Sequence, residues 1–333
     1  MEGMTDAVRE RFDRFAREET PGRSDVYAAW AEGVAEDAEV QAVLARIAPQ
    51  HRQPPLVFAV TRMLGAQDGR YSEWRSFVLS RADEIVAECE SRMVQTNEPL
   101  RLAALLPVLS RIDRPIALLE LGAAAGLCLY PDRYSYRFVA VDGQERLRLD
   151  PTDGPSTVVL TSVVRGALPD IRMPEIAWRA GIDLAPVDVR DAADRAWMQA
   201  LIWPGEHERA ERIAGAIAIA QADPPLLLAG DAGARLDELV ASAPADAALA
   251  ITTPGLLVYL PRPAREALIG RIRACAARWV TIDPPGLHDG WRPPIDAADF
   301  DGFAVALDGQ VLADADPLGR WWEWRAGGGT DRA

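Results

Sequence analysis

The sequence predicts an α/β fold: a mostly parallel sheet with an N-terminal helical region and a β-rich insertion. Three observations predict it. Apolar residues recur at helical spacing through the first third of the chain. Strand-like apolar runs then alternate with amphipathic stretches, the pattern of βαβ units. After the first such strand, a segment of period-two alternation broken by Asp-Gly pairs interrupts the pattern.

The helical region is assigned to residues 1–112. Val8, Phe12 and Phe15 share one helical face, as do Val26, Ala29 and Trp30, then Val40, Val43, Leu44 and Ile47. "SEWRSFVLSRADEIVAECESRMV" continues the period, with Ser72 as its expected cap. "QTNEPLRLAALLPVLSRI" starts another helix, capped by Asn97 or Thr96, with Pro99 tolerated in the first turn. No Pro/Gly-rich linker separates this helix from the first strand, so the helical region is expected to pack directly on the sheet as a cap over the site.

The α/β region is assigned to residues 113–326. Its strands are "IALLELG", "IAWRAGID", "PLLLAGD", "ALAITTPGLLVYL" and "RWVTIDPPG", with helical stretches such as "ARLDELVASA" and "PAREALIGRIRACAAR" between them. The insertion, about 134–166, is broken at Asp142-Gly143 and at Asp153-Gly154-Pro155. It is expected to be an antiparallel flap outside the parallel sheet. "GFAVALDGQVLADADP" predicts a hairpin turning at Asp308-Gly309, "GRWWEWRA" a last strand, and residues 327–333 a disordered tail.

Composition narrows the function classes. A chain of 333 residues with 49% hydrophobic content supplies a sizeable core. The net charge of −14, with no lysine in the sequence, argues against a general nucleic-acid binder, which needs a basic surface. Three scattered cysteines form neither a disulfide framework nor a metal spacing, and fit a reducing compartment. The three histidines, His51, His207 and His288, are isolated, so no metal site is expected. The N-terminus lacks the apolar core of a signal peptide, and no run is long enough to span a membrane. The expectation is a cytoplasmic protein acting on a small molecule, without a nucleic-acid or membrane partner; the oligomeric state stays open.

The chemistry centres on "IALLELGAAAGLCLY". A dinucleotide fingerprint needs glycines at 122, 124 and 127, and here Ala124 and Leu127 replace two of them. The pattern is E-x-G-x-x-x-G, with Glu120, Gly122 and Gly126. In that form it resembles the first motif of class I S-adenosylmethionine-dependent methyltransferases. The resemblance implies a Rossmann-like, methyltransferase-type sheet and a glycine turn, including Ala124, against the cofactor, with Glu120 addressing the methionine amino end. In such sheets the ligand lies across the carboxyl ends of the strands. Asp183 then suits the ribose hydroxyls and Asp231 the adenine side. Each acid also suits a helix N-cap, but two at consecutive strand ends behind a glycine turn favour the cofactor role. Asp142 is the rival ribose acid, because it follows Glu120 at close to the roughly 20 positions usual for nucleotide folds. It sits in an Asp-Gly turn, where Asp is favoured for local geometry, and Asp183 is preferred.

A wider resemblance covers nearly the whole chain. "QTNEPLRLAALLP", "LLELGAAAGLCLYPDRYSYRF", "IAWRAGIDLAPVDVRDAADRAWMQALIWP", "ADPPLLLAGD" and "DPLGRWWEW" together are similar to the actinobacterial family called domain of unknown function 2332. That resemblance implies a methyltransferase-like fold more than a reaction. The chain departs from the family pattern in two places. "ITTPGLLVYL" stands where a histidine is common, and "TIDPPGLHDG" stands where a family-like S-N-E-x-P-G would be. "DPPG" itself is expected to be a rigid turn.

The expected activity is methyl transfer from S-adenosylmethionine to a small molecule. Asp283, His288 and Glu98 are the candidate bases, and Tyr130, Tyr134, Asn97 and Arg101 are candidates for the substrate side. The alternatives are a non-catalytic cofactor-binding or regulatory protein and an NAD(P)-dependent oxidoreductase; the glycine pattern argues against the latter.

Overall fold

The computed structural model describes residues 2–325, and the expected tail at 327–333 lies outside the described residues. The chain opens with α1 (Glu2–Glu18), α2 (Asp25–Glu36), α3 (Ala38–Leu44), α4 (Pro54–Met63), α5 (Tyr71–Ser80), α6 (Ala82–Ser91) and α7 (Leu102–Leu109). The strands follow: β1 (Ile116–Leu121), β2 (Ser135–Val139), β3 (Glu145–Leu149), β4 (Val159–Arg165) and β5 (Ile176–Asp183). Then come α8 (Ala192–Ala200), α9 (His207–Ala222), β6 (Leu226–Ala229), α10 (Ala232–Ser242), β7 (Ala248–Thr252), α11 (Arg262–Ala274) and β8 (Arg278–Asp283). The chain finishes with β9 (Phe303–Leu307), β10 (Gln310–Ala315) and β11 (Trp321–Trp324).

Two compact units form: Met1–Thr96 with Asp188–Glu211, and Asn97–Val187 with Arg212–Ala333. The boundary expected at residue 112 thus falls earlier. α7 groups with the sheet because every one of its residues is buried, which requires cover on all sides. α8 groups with the helices, burying Trp197, Met198 and Ala200.

The helical unit is held by aromatic rings; Phe12, Phe15 and Trp30 are buried as the period expects, but α2 buries Tyr27, Ala31 and Val34 with Trp30 and leaves Ala29 exposed. Phe58 of α4 meets Phe12 at 5.7 Å and Tyr27 at 4.8 Å, and Trp30 stacks on Trp74 at 5.3 Å. Such pairs contribute about 0.5–1.5 kcal/mol each beyond the burial of their area. The long helix expected from Ser72 is broken at Arg81, whose guanidinium is drawn to the Leu64 carbonyl and the Glu84 carboxylate. Its first residue is Tyr71, and no side chain caps it.

In the sheet unit, eleven strands among the described residues form one mixed, mostly parallel sheet, ordered β3-β2-β4-β11-β10-β9-β8-β7-β1-β5-β6. The block β6-β5-β1-β7-β8 is parallel throughout. β1 lies at its centre, which explains why "IALLEL" is buried at all six positions. Leu119 and Leu121 enter the core formed with Leu236 and Leu239 of α10 and Leu268, Ile269 and Ile272 of α11. Glu120, between them, therefore faces the opposite side of the sheet. β9 and β10 form the expected hairpin, with Asp308 and Gly309 both at positive φ (54° and 86°), as a two-residue turn of this kind requires.

The insertion departs from expectation. β2 and β3 form an antiparallel hairpin turning at Asp142-Gly143, but β4 runs parallel to β2 and to β11. The segment extends the main sheet and is not a separate flap. The reason is the last strand: "WWEW" supplies the backbone partner that carries the hydrogen-bond ladder from the β9–β10 hairpin to β4. Among the described residues, no helix is long and apolar enough to cross a membrane.

Candidate functional site

The candidate site lies in the sheet unit, at the carboxyl ends of β1, β5, β7 and β8 and the segment 97–101. β1 leads into a turn in which Gly122, Ala124 and Gly126 all have positive φ (77°, 49° and 71°). Every N–H of this turn is spent inside the protein. Gly122 and Ala123 donate to the Ile182 carbonyl, Ala124 to Asp183 Oδ2 and Ala125 to Asn97 Oδ1. Gly126 donates back to the Ala123 carbonyl. The turn runs into a 3-10 segment, Leu127–Leu129, and no α-helix follows before β2.

The turn is pressed tightly against its neighbours. A Cβ on Gly126 would stand 3.0 Å from Pro225 and 3.2 Å from Leu129, and one on Gly122 would stand 3.1 Å from Leu256. A Cβ on Gly181, in the middle of β5, would stand 2.4 Å from that of Ala123. Gly181 is a contributor the sequence reading missed, although an isolated Gly inside a strand pattern signals close backbone approach.

Glu120 is 4% exposed, and its Oε2 has no hydrogen-bond partner. Burial pushes its carboxyl up to about 8; the nearby Arg101 guanidinium opposes the shift and the Asp183 carboxylate adds to it. Asp183, at the end of β5, spans two backbone donors: Ala124 N on Oδ2 at 2.8 Å and Ala185 N on Oδ1 at 2.9 Å. Asp231 is an exposed N-cap of α10 that accepts from Ala234 N. Asp142 is exposed too, and accepts from Gln144 N within its turn.

The segment 97–101 brings three polar side chains to this end of the sheet. Asn97 has φ 39°, and its Nδ2 is buried without a partner. The expected cap of the following turn is neither Thr96 nor Asn97 but Glu98, which accepts from Leu100 N. Glu98 is 1% exposed and also forms a two-pronged ion pair with Arg212, at 2.8 and 3.2 Å. The two carboxylate oxygens are thus occupied by Arg212, which leaves little room for a catalytic base. Arg101 donates to the carbonyls of Pro254 and Pro317, and its guanidinium fills the space beside Gly255, where a Cβ would be 3.0 Å away.

Asp283 and His288 come together at the end of β8, 3.7 Å apart. A donor chain converges on the carboxylate: Trp279 Nε1 donates to Thr253 Oγ1, Thr253 to Thr281, and Thr281 to Asp283 Oδ2. His288 Nδ1 accepts from Gly290 N, so the ring's hydrogen resides on Nε2. His288 Nε2 and Asp283 Oδ1 are buried without partners. Both side chains are 2% exposed or less, so this pair is internal. Tyr130 and Tyr134 are internal as well: both are fully buried, and their hydroxyls donate to the carbonyls of Asp223 and Leu127.

Among the described residues, no group of three or more His, Cys, Asp or Glu side chains is arranged to hold a metal ion. In the helical unit, a shallow depression of about 370 Å³ is lined by Glu36, Asp37, Glu39, Tyr71 and Arg75. Four of its polar groups are paired with each other, Asp37 with Tyr71 and Arg75, and Arg75 with Glu39.

No curated protein and no solved structure matches the chain significantly. A family described as "Uncharacterized protein conserved in bacteria (DUF2332)" matches residues 9–324. With nearly its whole length covered, the chain belongs to the DUF2332 family.

Proposed function

We propose that the sheet unit binds S-adenosylmethionine on a Rossmann-like, methyltransferase-type sheet and directs its methyl group to a small molecule. The observation that carries this reading is Glu120. A buried carboxyl without a partner is costly, and this one stands at the head of a glycine turn on the central strand. A ligand ammonium at Oε2 would relieve that cost. The strand order β6-β5-β1-β7-β8 is that of a doubly wound sheet, whose ligands lie at the carboxyl ends beside the first strand. Asp183 ends the adjacent strand, partly exposed, and its carboxylate there would face the ribose hydroxyls of such a ligand.

The turn also argues against a dinucleotide. Pyrophosphate recognition uses free N–H groups at a helix N-terminus, whereas here the turn's N–H groups are spent and no helix follows.

When bound, the cofactor supplies a methyl group already activated on a sulfonium. The chain's own work is then alignment: Glu120 takes the ammonium, Asp183 fixes the ribose, and the closed turn sets the distance between them. Alignment of this kind contributes roughly 7–11 kcal/mol to such reactions.

A second reading is favoured by one observation. Glu98 is committed to Arg212, and Asp283 and His288 are internal. None of these three candidate bases is exposed, which suits a protein that holds the cofactor without transferring its methyl. Calorimetry with S-adenosylmethionine and S-adenosylhomocysteine tests both readings at once. Binding with turnover on a panel of phenols, amines and thiols supports the first. Binding without turnover supports the second, and no binding removes both.

A further inference from the structure

We propose that Asn97 is the group that recognises the carboxylate of a ligand's α-amino-acid end, so that the turn grips both charges of a zwitterion. This rests on the cofactor reading above and adds to it a specificity residue from outside the glycine motif.

The argument starts from orientation. Asn amide oxygen and nitrogen are assigned from their partners, and here the partner decides: Ala125 offers an N–H at 2.9 Å, which only Oδ1 can accept. Nδ2 therefore points elsewhere, and it is buried without an acceptor. The same residue has φ 39°, a left-handed conformation uncommon for a residue with a side chain. Fastening the turn through Oδ1 would account for the oxygen alone. The unused donor is what points to a ligand.

The surroundings select the class of ligand. The turn that Asn97 fastens is headed by Glu120, whose unpartnered Oε2 is an acceptor. One orphaned donor and one orphaned acceptor thus flank a single turn. The guanidinium of Arg101, four residues after Asn97, acts on the Glu120 carboxyl and brings positive potential to the same place. A carboxylate against Asn97 Nδ2 and an ammonium against Glu120 Oε2 would satisfy both atoms. A lone amine would leave Asn97 unsatisfied, and a lone carboxylate would leave Glu120 so.

The test compares two ligands that differ only in the carboxylate: S-adenosylmethionine and its decarboxylated form, titrated calorimetrically into the full-length protein. The parent should prefer S-adenosylmethionine by about tenfold to a hundredfold, the range for a hydrogen bond to a charged group. Asn97→Asp keeps an oxygen for Ala125 N–H and tolerates the backbone, but it presents a second oxygen where the donor was. It should erase that preference and leave the decarboxylated ligand within about threefold of its parent affinity. A melting curve of the variant shows whether the turn stays fastened. Equal binding of both ligands by the parent overturns the role of Asn97 while the cofactor reading stands. Equal weakening of both ligands by Asn97→Asp overturns it as well, since a fastener alone would act that way. Failure of the parent to bind either ligand removes the cofactor reading and this inference together.

Discussion

The carboxylate of Asp183, at the end of β5, accepts the backbone N–H of Ala124 in the turn after β1, at 2.8 Å. Two neighbouring strand ends are therefore tied by one side chain, and the conformation of the glycine turn depends on an acid from another strand. A second tie, from Asn97 to Ala125, holds the next peptide of the turn.

Asp183→Ala should consequently fail in two measurable ways. The turn loses one anchor, which should lower stability by about 1–3 kcal/mol. Affinity for S-adenosylhomocysteine should fall roughly tenfold to a hundredfold. Asp142→Ala, in an exposed turn of the insertion, should leave both within the scatter of ordinary surface substitutions. Calorimetry and thermal melts on the two variants check this. The reverse pattern, with Asp142→Ala abolishing binding, would return the ribose role to Asp142.

The glycines separate steric from ligand effects. On sequence grounds Gly126→Val is expected to block the path of the ligand. The space beside Gly126 is instead occupied by Pro225, Leu129 and Leu227, and its φ is 71°, so the substitution should act mainly on folding. Gly181→Ala should act on the turn itself, because its new methyl would meet Ala123 at 2.4 Å. The expected result is reduced affinity together with a melting temperature lowered by several degrees, about 1–3 kcal/mol of overpacking. Unchanged affinity with an unchanged melt would show that the turn shifts freely.

What the sequence made legible is local. The central strand, the glycine turn, the Asp308-Gly309 hairpin and the buried face of Val8, Phe12 and Phe15 all follow from period and turn chemistry within short windows. The pairing of "WWEW" with β4 does not, because it joins strands distant in the chain and no periodicity records a partner. The turn after β1 passes into a 3-10 segment and then β2 with no α-helix between, in keeping with Pro131 and the aromatics of "YPDRYSY". Asn97 is legible in the sequence as a polar candidate beside the turn, but its unused amide is a property of the folded turn. The partner of Glu98, Arg212, lies more than a hundred residues away, on α9, and carries no local mark.

The Glu98–Arg212 pair gives a further prediction. The carboxylate is 1% exposed and holds Arg212 by two prongs, so its removal takes from a largely covered guanidinium the charge that faces it. Glu98→Ala should cost about 3–5 kcal/mol and be seen as a large downward shift in denaturant midpoint. A double variant that also replaces Arg212 by Met should recover part of that loss, since no buried charge is then left unpaired. If Glu98→Ala is as stable as the parent and only turnover falls, Glu98 belongs among the catalytic groups after all.

Glu120 makes stability and binding depend on pH in a defined direction. Its carboxyl is raised from the ordinary 4.5 to about 8 in the folded chain, chiefly by burial. Between those values the folded state holds a proton that the unfolded state has released, so stability should fall as pH rises from about 4.5 to about 8. Below that window both states are protonated, and above it both are ionised, so the slope vanishes at each end. The total is on the order of a few kcal/mol. Glu120→Gln cannot ionise and should flatten this part of the profile, gaining on the parent as pH rises. Binding carries the complementary signature. At pH about 6.5 the free protein holds the proton, and a ligand ammonium favours the carboxylate, so association should release about one proton to the buffer. Calorimetry of S-adenosylhomocysteine in buffers of different ionisation enthalpy measures that number directly. A released proton in the parent that disappears in Glu120→Gln would place the ammonium at this carboxyl. Binding enthalpies independent of buffer would show that the ligand leaves Glu120 neutral and that its amino end lies elsewhere.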